Sequence, residues 1–153
     1  MKALVVYDSV FGNTEKIAQA MGQALGAEAV KVSAVTAEHL AGVGLLVVGS
    51  PTRAFKATPA TMAWIKALSA NALSGVKVAG FDTRISPEDT GSAILKVMVK
   101  LFGYAAKPIL GALQKKGGQP VAPDEGFIVK ASEGPLKDGE LERAAAWTAR
   151  LAA

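Results

Sequence analysis

The chain contains no cysteine and a single histidine, His39. The first absence excludes disulfides and thiolate metal ligands, and the second leaves a zinc site without the imidazoles it needs. A cysteine-free chain suits a reducing compartment. No apolar segment ending in a small-residue cleavage site precedes the first strand-like run, and a cytoplasmic location is expected. The longest uncharged apolar run, Leu40 to Val48, falls well short of the roughly 18 residues that span a bilayer, so stable membrane insertion is not expected. Two phosphate-binding signatures are also missing. Without Gly-Lys-Ser/Thr after a glycine-rich turn there is no nucleoside-triphosphate loop, and without G-x-G-x-x-G there is no Rossmann dinucleotide fingerprint. Acids are absent from residues 90 to 123, which hold Lys96, Lys100, Lys107, Lys115 and Lys116, so this stretch supplies the whole positive balance of a chain whose net charge is +4. Solvated lysines on helix faces account for this stretch without a nucleic-acid partner.

What is present points to alternating strands and helices. The chain has 153 residues, half of them hydrophobic, enough for one domain (1–153) with a sizeable core. "KALVVY" (2–7), "GLLVVGS" (44–50) and "VKVAGFD" (76–82) are continuous apolar runs of the kind found in strands covered on both faces. "EAVKV" (28–32) and "GFIVKA" (126–131) read as two further strands. Ile17, Met21 and Leu25 recur at helical spacing, with Gly26 placed for a C-cap, and Thr58-Pro59 opens a second helix. A last helix follows Asp138, read as its N-cap, with Glu140 and Glu142 in its first turn. The 92–101 segment is expected to pack an apolar face on the sheet. The pattern predicts an α/β fold, doubly wound, with a five-stranded parallel sheet and helices on both faces.

In such a sheet ligands bind beyond the carboxyl ends of the strands. Three loops stand there. The first offers Ser9, Val10, Phe11, Gly12, Asn13 and Thr14, with hydroxyls and backbone N–H groups delivered at a helix N-terminus, where the dipole favours an anion. Having donors but no lysine, it suits one terminal phosphate monoester; turning the chain and capping the helix is the simpler alternative. The second loop is Ser50, Pro51, Thr52, Arg53, Ala54 and Phe55, and the third Asp82, Thr83, Arg84 and Ile85. Phe11 is expected to anchor its loop to the core. Tyr104, between two apolar helical pieces, either closes over the site or marks a corner.

These segments resemble the flavodoxin family, whose small single-domain members carry Y-[DE]-S-x-[FY]-G-N-T after the first strand. The matching stretches are "VVYDSVFGNTEKIA", "LVVGSPTRAFKATPATMAWI", "VAGFDTR" and "EGFIVKASEGPLKDGELERAAAW", which together run through most of the chain. The resemblance implies noncovalent FMN, with Ser9 to Thr14 around the 5′-phosphate, Ser50 to Phe55 on one side of the ring and Asp82 to Ile85 on the other. Phe55 either stacks on the ring or packs within the fold, and Arg84 either meets the pyrimidine or pairs with Glu88 or Asp89. The chain departs from electron-carrier flavodoxins in being basic and in having Ile85 where a second aromatic is expected.

No catalytic constellation competes with this reading. His39 sits in a short polar segment, and Ser50 stands where a receiver domain needs an aspartate after its third strand. Three functions follow: an electron-transfer protein whose partner is a redox protein or small-molecule acceptor, an FMN-dependent NAD(P)H:quinone-type reductase, or a flavin-free interaction module. Oligomeric state is not encoded in any motif.

Overall fold

A computed structural model describes all residues, Met1–Ala153. The strands are β1 (Lys2–Tyr7), β2 (Glu28–Lys31), β3 (Val43–Pro51), β4 (Lys77–Ile85), β5 (Gln119–Pro120) and β6 (Glu125–Val129). The helices are α1 (Asn13–Leu25), α2 (Ala37–Leu40), α3 (Pro59–Ala67), α4 (Pro87–Thr90), α5 (Ala93–Phe102), α6 (Ala106–Lys115) and α7 (Glu140–Leu151). All sheet pairings are parallel, in the order β2-β1-β3-β4-β5, with β6 also pairing β4. The expected fifth position is thus shared by two strands. β5 takes Lys77 and Val78, and β6 takes Phe81 to Ile85, because Val121 to Asp124 leave the sheet between them.

The continuous apolar runs split by parity, as period-2 geometry requires. Leu4, Val6, Leu46 and Val48 face one layer with Ile65 of α3 and Ile109 and Leu113 of α6. Val5, Tyr7, Leu45, Val47 and Phe81 face the other, with Ile17 and Met21 of α1 and Trp147 and Leu151 of α7. Both faces are therefore covered by paired helices. α5 finds no sheet surface left, and none of its residues is buried, which corrects the expectation that 92–101 packs on the sheet. β4 also runs three residues beyond the expected 82, so Asp82 to Ile85 are strand rather than loop.

The N-cap of α7 is Gly139, at φ 85°, rather than Asp138. Glu140 turns inward instead of facing solvent: it accepts the Ile128 N–H at 2.6 Å and the Arg143 guanidinium at 2.7 and 2.9 Å. Arg143 also donates to the Gly126 carbonyl and lies 4.5 Å over the Phe127 ring, so this pair fastens α7 to β6. Burial pushes the Glu140 carboxyl up, but Arg143 and the Ile128 N–H outweigh it and hold the group below the ordinary range. A depressed carboxylate stabilises above its unfolded pKa of about 4.3, and that contribution is lost as pH falls through the folded value. Glu140→Gln is expected to cost about 1–3 kcal/mol in urea unfolding at neutral pH. The difference from wild type should shrink near pH 3.5; a constant difference would contradict the assigned charge.

Candidate functional site

The chain passes from β1 outward to β2 and returns across β1 to β3, so the loops after β1 and β3 diverge at their carboxyl ends. A cavity of about 300 Å³ opens there. It is lined by Ser9, Val10, Phe11, Asn13 and Thr14 after β1, Pro51 to Phe55 after β3, and Thr83 to Ile85 at the end of β4. Every residue expected at the site reaches this lining except Gly12, Ser50 and Asp82. Leu95, Val99, Tyr104, Val129 and Ser132 complete it.

The first loop is built around Ser9. Its Oγ accepts the N–H groups of Gly12 at 3.0 Å and Glu15 at 3.4 Å, which occupies both lone pairs and leaves the hydroxyl as a donor. Gly12 adopts φ 92°, a left-handed turn that an L side chain resists, and serves as the N-cap of α1 with no capping side chain. The N–H groups of Val10, Phe11, Asn13 and Thr14 consequently find no acceptor in the chain. Asn13 is pinned by donating to the Glu133 carbonyl at 3.1 Å, and Thr14 shares a hydrogen bond with Thr83 at 2.8 Å. One hydroxyl proton of that threonine pair remains over. Phe11 is 46% exposed, with the Arg53 guanidinium 5.1 Å over its ring, so it is a wall of the cavity mouth and not a core anchor.

The second loop is held from behind. Ser50 is fully buried, donating to the Pro51 carbonyl and accepting the Thr58 N–H, each at 2.9 Å, so it shapes the turn without lining the cavity. Thr58 Oγ1 donates to Asp8 at 2.5 Å, which ties this loop to the first. Arg53 and Lys56 exchange backbone hydrogen bonds at 2.8 and 3.0 Å around Ala54 at φ 48° and Phe55 at φ 68°. Two consecutive left-handed residues, neither of them glycine, make a strained tight turn. Its product is the placement of the Phe55 ring, half-buried at the cavity and 5.7 Å from that of Phe102.

On β4, Asp82 is fully buried and grips Arg84 through two bonds of 2.7 Å while accepting the Ala106 N–H at 2.9 Å. With its oxygens committed, Asp82 cannot meet a ligand, and Arg84 pairs with it rather than with Glu88 or Asp89. Burial pushes the Asp82 carboxyl up against the pull of Arg84 and of the Ala106 N–H. The guanidinium lies flat, with the Tyr104 ring centroid 3.6 Å from Cζ and Gly126 beneath, where a Cβ would fall 2.0 Å from Nε. Tyr104 is therefore a wall of the site as well as a corner between helices. Ser132 was legible in principle: "ASEGP" is a turn at the carboxyl end of β6, the same position that singles out the other loops.

The chain belongs to the flavodoxin domain family, whose model it matches over residues 4–109. Its fold superposes on a flavodoxin from the domain Archaea with a TM-score of 0.77 at 21% identity, covering 99% of this chain and 96% of that one. Oxidised flavodoxin 2 from Bacillus cereus gives 0.77 at 22% identity, with 99% and 98% covered. A flavodoxin, WrbA-like protein from Agrobacterium tumefaciens gives 0.75 at 18%, with 99% and 94% covered. No curated protein matches the chain in sequence.

The strained turn yields a prediction independent of any ligand. Asparagine tolerates the left-handed region better than alanine, so Ala54→Asn should stabilise by on the order of 0.5 kcal/mol. The melting temperature should then rise by about 1–2 °C. A fall in calorimetry would show that the turn is not strained as described.

Proposed function

We propose that this protein binds FMN noncovalently and transfers electrons through it to a redox protein or a small-molecule acceptor. The observation that carries the reading is the set of unpaired N–H groups of Val10, Phe11, Asn13 and Thr14, joined by the Ser9 hydroxyl, at the start of a thirteen-residue helix. A set made only of donors fits a phosphate dianion and repels nothing on it. Above it the cavity walls turn apolar and aromatic, as a flat ring requires. FMN supplies redox chemistry that no side chain here offers.

The chain's own residues bind and orient. The α1 terminus and Ser9 would hold the phosphate, with Thr14 and Thr83 sharing one hydroxyl proton to offer. Phe55, fixed by its turn, would cover part of the ring, and Tyr104, laid on Arg84, would cover another part. The ion pair leaves Arg84 with little free charge, so Arg53 at the mouth is the cation better placed to act on an electron-rich ring.

Loss of the phosphate should forfeit several charge-assisted contacts of roughly 1.5–3 kcal/mol each, so FMN should bind at least about 100-fold tighter than riboflavin. Ser9→Ala should weaken FMN by about tenfold and leave riboflavin unchanged. Quenching of flavin fluorescence measures both, and equal affinity of the wild type for the two ligands would contradict the proposal. Phe55→Ala should weaken both ligands alike, by about 0.5–1.5 kcal/mol, because it acts on the ring they share.

A further inference from the structure

α5 is an apolar helix without a covering. Ile94, Val97, Leu101 and Phe102 are 78%, 57%, 70% and 60% exposed. At 100° per residue, Ile94, Val97 and Leu101 fall in one stripe, and Lys96 and Lys100, one turn apart, form an edge beside it. Leu95 and Val99 lie on the opposite side, where they wall the cavity. The helix is thus apolar outward as well as inward, and its outward stripe is left largely to solvent.

We propose that the outer face of α5 is a docking surface for an anionic lipid bilayer, on which the helix lies in the interface plane. Charge selects this occupant. No acid occurs from residue 90 to 123; of the two acids on α4, Asp89 is paired with Lys137 at 3.1 Å, and Glu88, which shares a recess with Lys96 and Lys100, offsets only part of their charge. A second copy meeting the stripe in antiparallel orientation would set one lysine edge against the other, which disfavours that pairing. An anionic bilayer meets both demands in one medium: acyl chains for Ile94, Val97 and Leu101, and headgroups for ammonium groups that snorkel beside them. At ten residues the helix cannot cross a membrane, and no helix of the chain is long and apolar enough to do so. The binding expected is peripheral and reversible. It rests on the outer face alone and does not require the flavin reading.

Co-sedimentation of the full chain with phosphatidylglycerol vesicles and with phosphatidylcholine vesicles tests the proposal. Binding to the anionic vesicles, weakened by salt and largely absent with the neutral ones, is expected. Ile94→Ser combined with Leu101→Ser should reduce it by about tenfold or more, and Lys96→Gln combined with Lys100→Gln by a similar factor. These side chains are largely exposed and none belongs to the cavity wall, so the melting temperature should stay at the wild-type value. Failure to sediment with either vesicle, or sedimentation undiminished by the apolar pair of substitutions, would overturn the proposal. So would a dimer in light scattering that dissociates in the Leu101 variant, or retention on immobilised polyglutamate with no vesicle binding, which would identify an acidic protein as the occupant.

Discussion

A helix must leave its first backbone N–H groups without intrahelical acceptors, and the carboxyl end of the sheet is arranged around the way α1 meets that constraint. A capping side chain at residue 12 would have satisfied one of these groups. The chain places Gly12 there and uses Ser9 to bind Gly12 and Glu15, so that the N–H groups between and beyond them stay free. Much of the surrounding structure holds this arrangement still. Asn13 is tied to the loop after β6, Thr14 to the end of β4, and Asp8 to Thr58 at the start of α3. The parallel sheet brings these anchors together because the strand order reverses between β1 and β3, where their loops part.

The site combines this rigid polar end with walls of uneven character. Phe55 is presented by a strained turn, and Tyr104 lies on a guanidinium flattened over Gly126. Strain at Ala54 and Phe55 is a cost that the buried scaffold of Ser50, Thr58 and Thr61 can sustain. α5, in contrast, walls the cavity with Leu95 and Val99 while leaving its other side to solvent. One helix therefore carries two apolar faces, one lining the cavity and one left exposed.

Much of the fold was legible because its signals are local. Apolar runs such as "GLLVVGS" define strands covered on both faces, and Thr58-Pro59 opens α3 where the sequence places it, with Thr58 accepting the Thr61 N–H. The candidate site was legible for the same reason, since loops at strand ends follow from strand order. What failed depended on competition among distant parts. The amphipathic pattern of 93–102 says that a face is apolar, but only the full inventory of helices shows that α3 and α6 already cover the sheet there. Asp82 and Arg84, two apart on one strand, share a face and pair with each other, whereas reading them as loop left Asp82 free for a ligand and gave Arg84 a ligand or the wrong acids, Glu88 or Asp89. Ser50 looked like a ligand contact and instead shapes the turn, because β3 extends through Pro51.

The central claim is that free N–H groups at the start of α1 receive a phosphate. Amide proton shifts of the isotope-labelled protein, followed as FMN and then riboflavin are added, test it residue by residue. The account predicts that FMN moves the amide protons of Val10, Phe11, Asn13 and Thr14 downfield, that Gly12, already bonded to Ser9, moves least in the loop, and that riboflavin leaves all of them near their starting positions. Equal shifts with both ligands, or an unmoved set under saturating FMN, would contradict it.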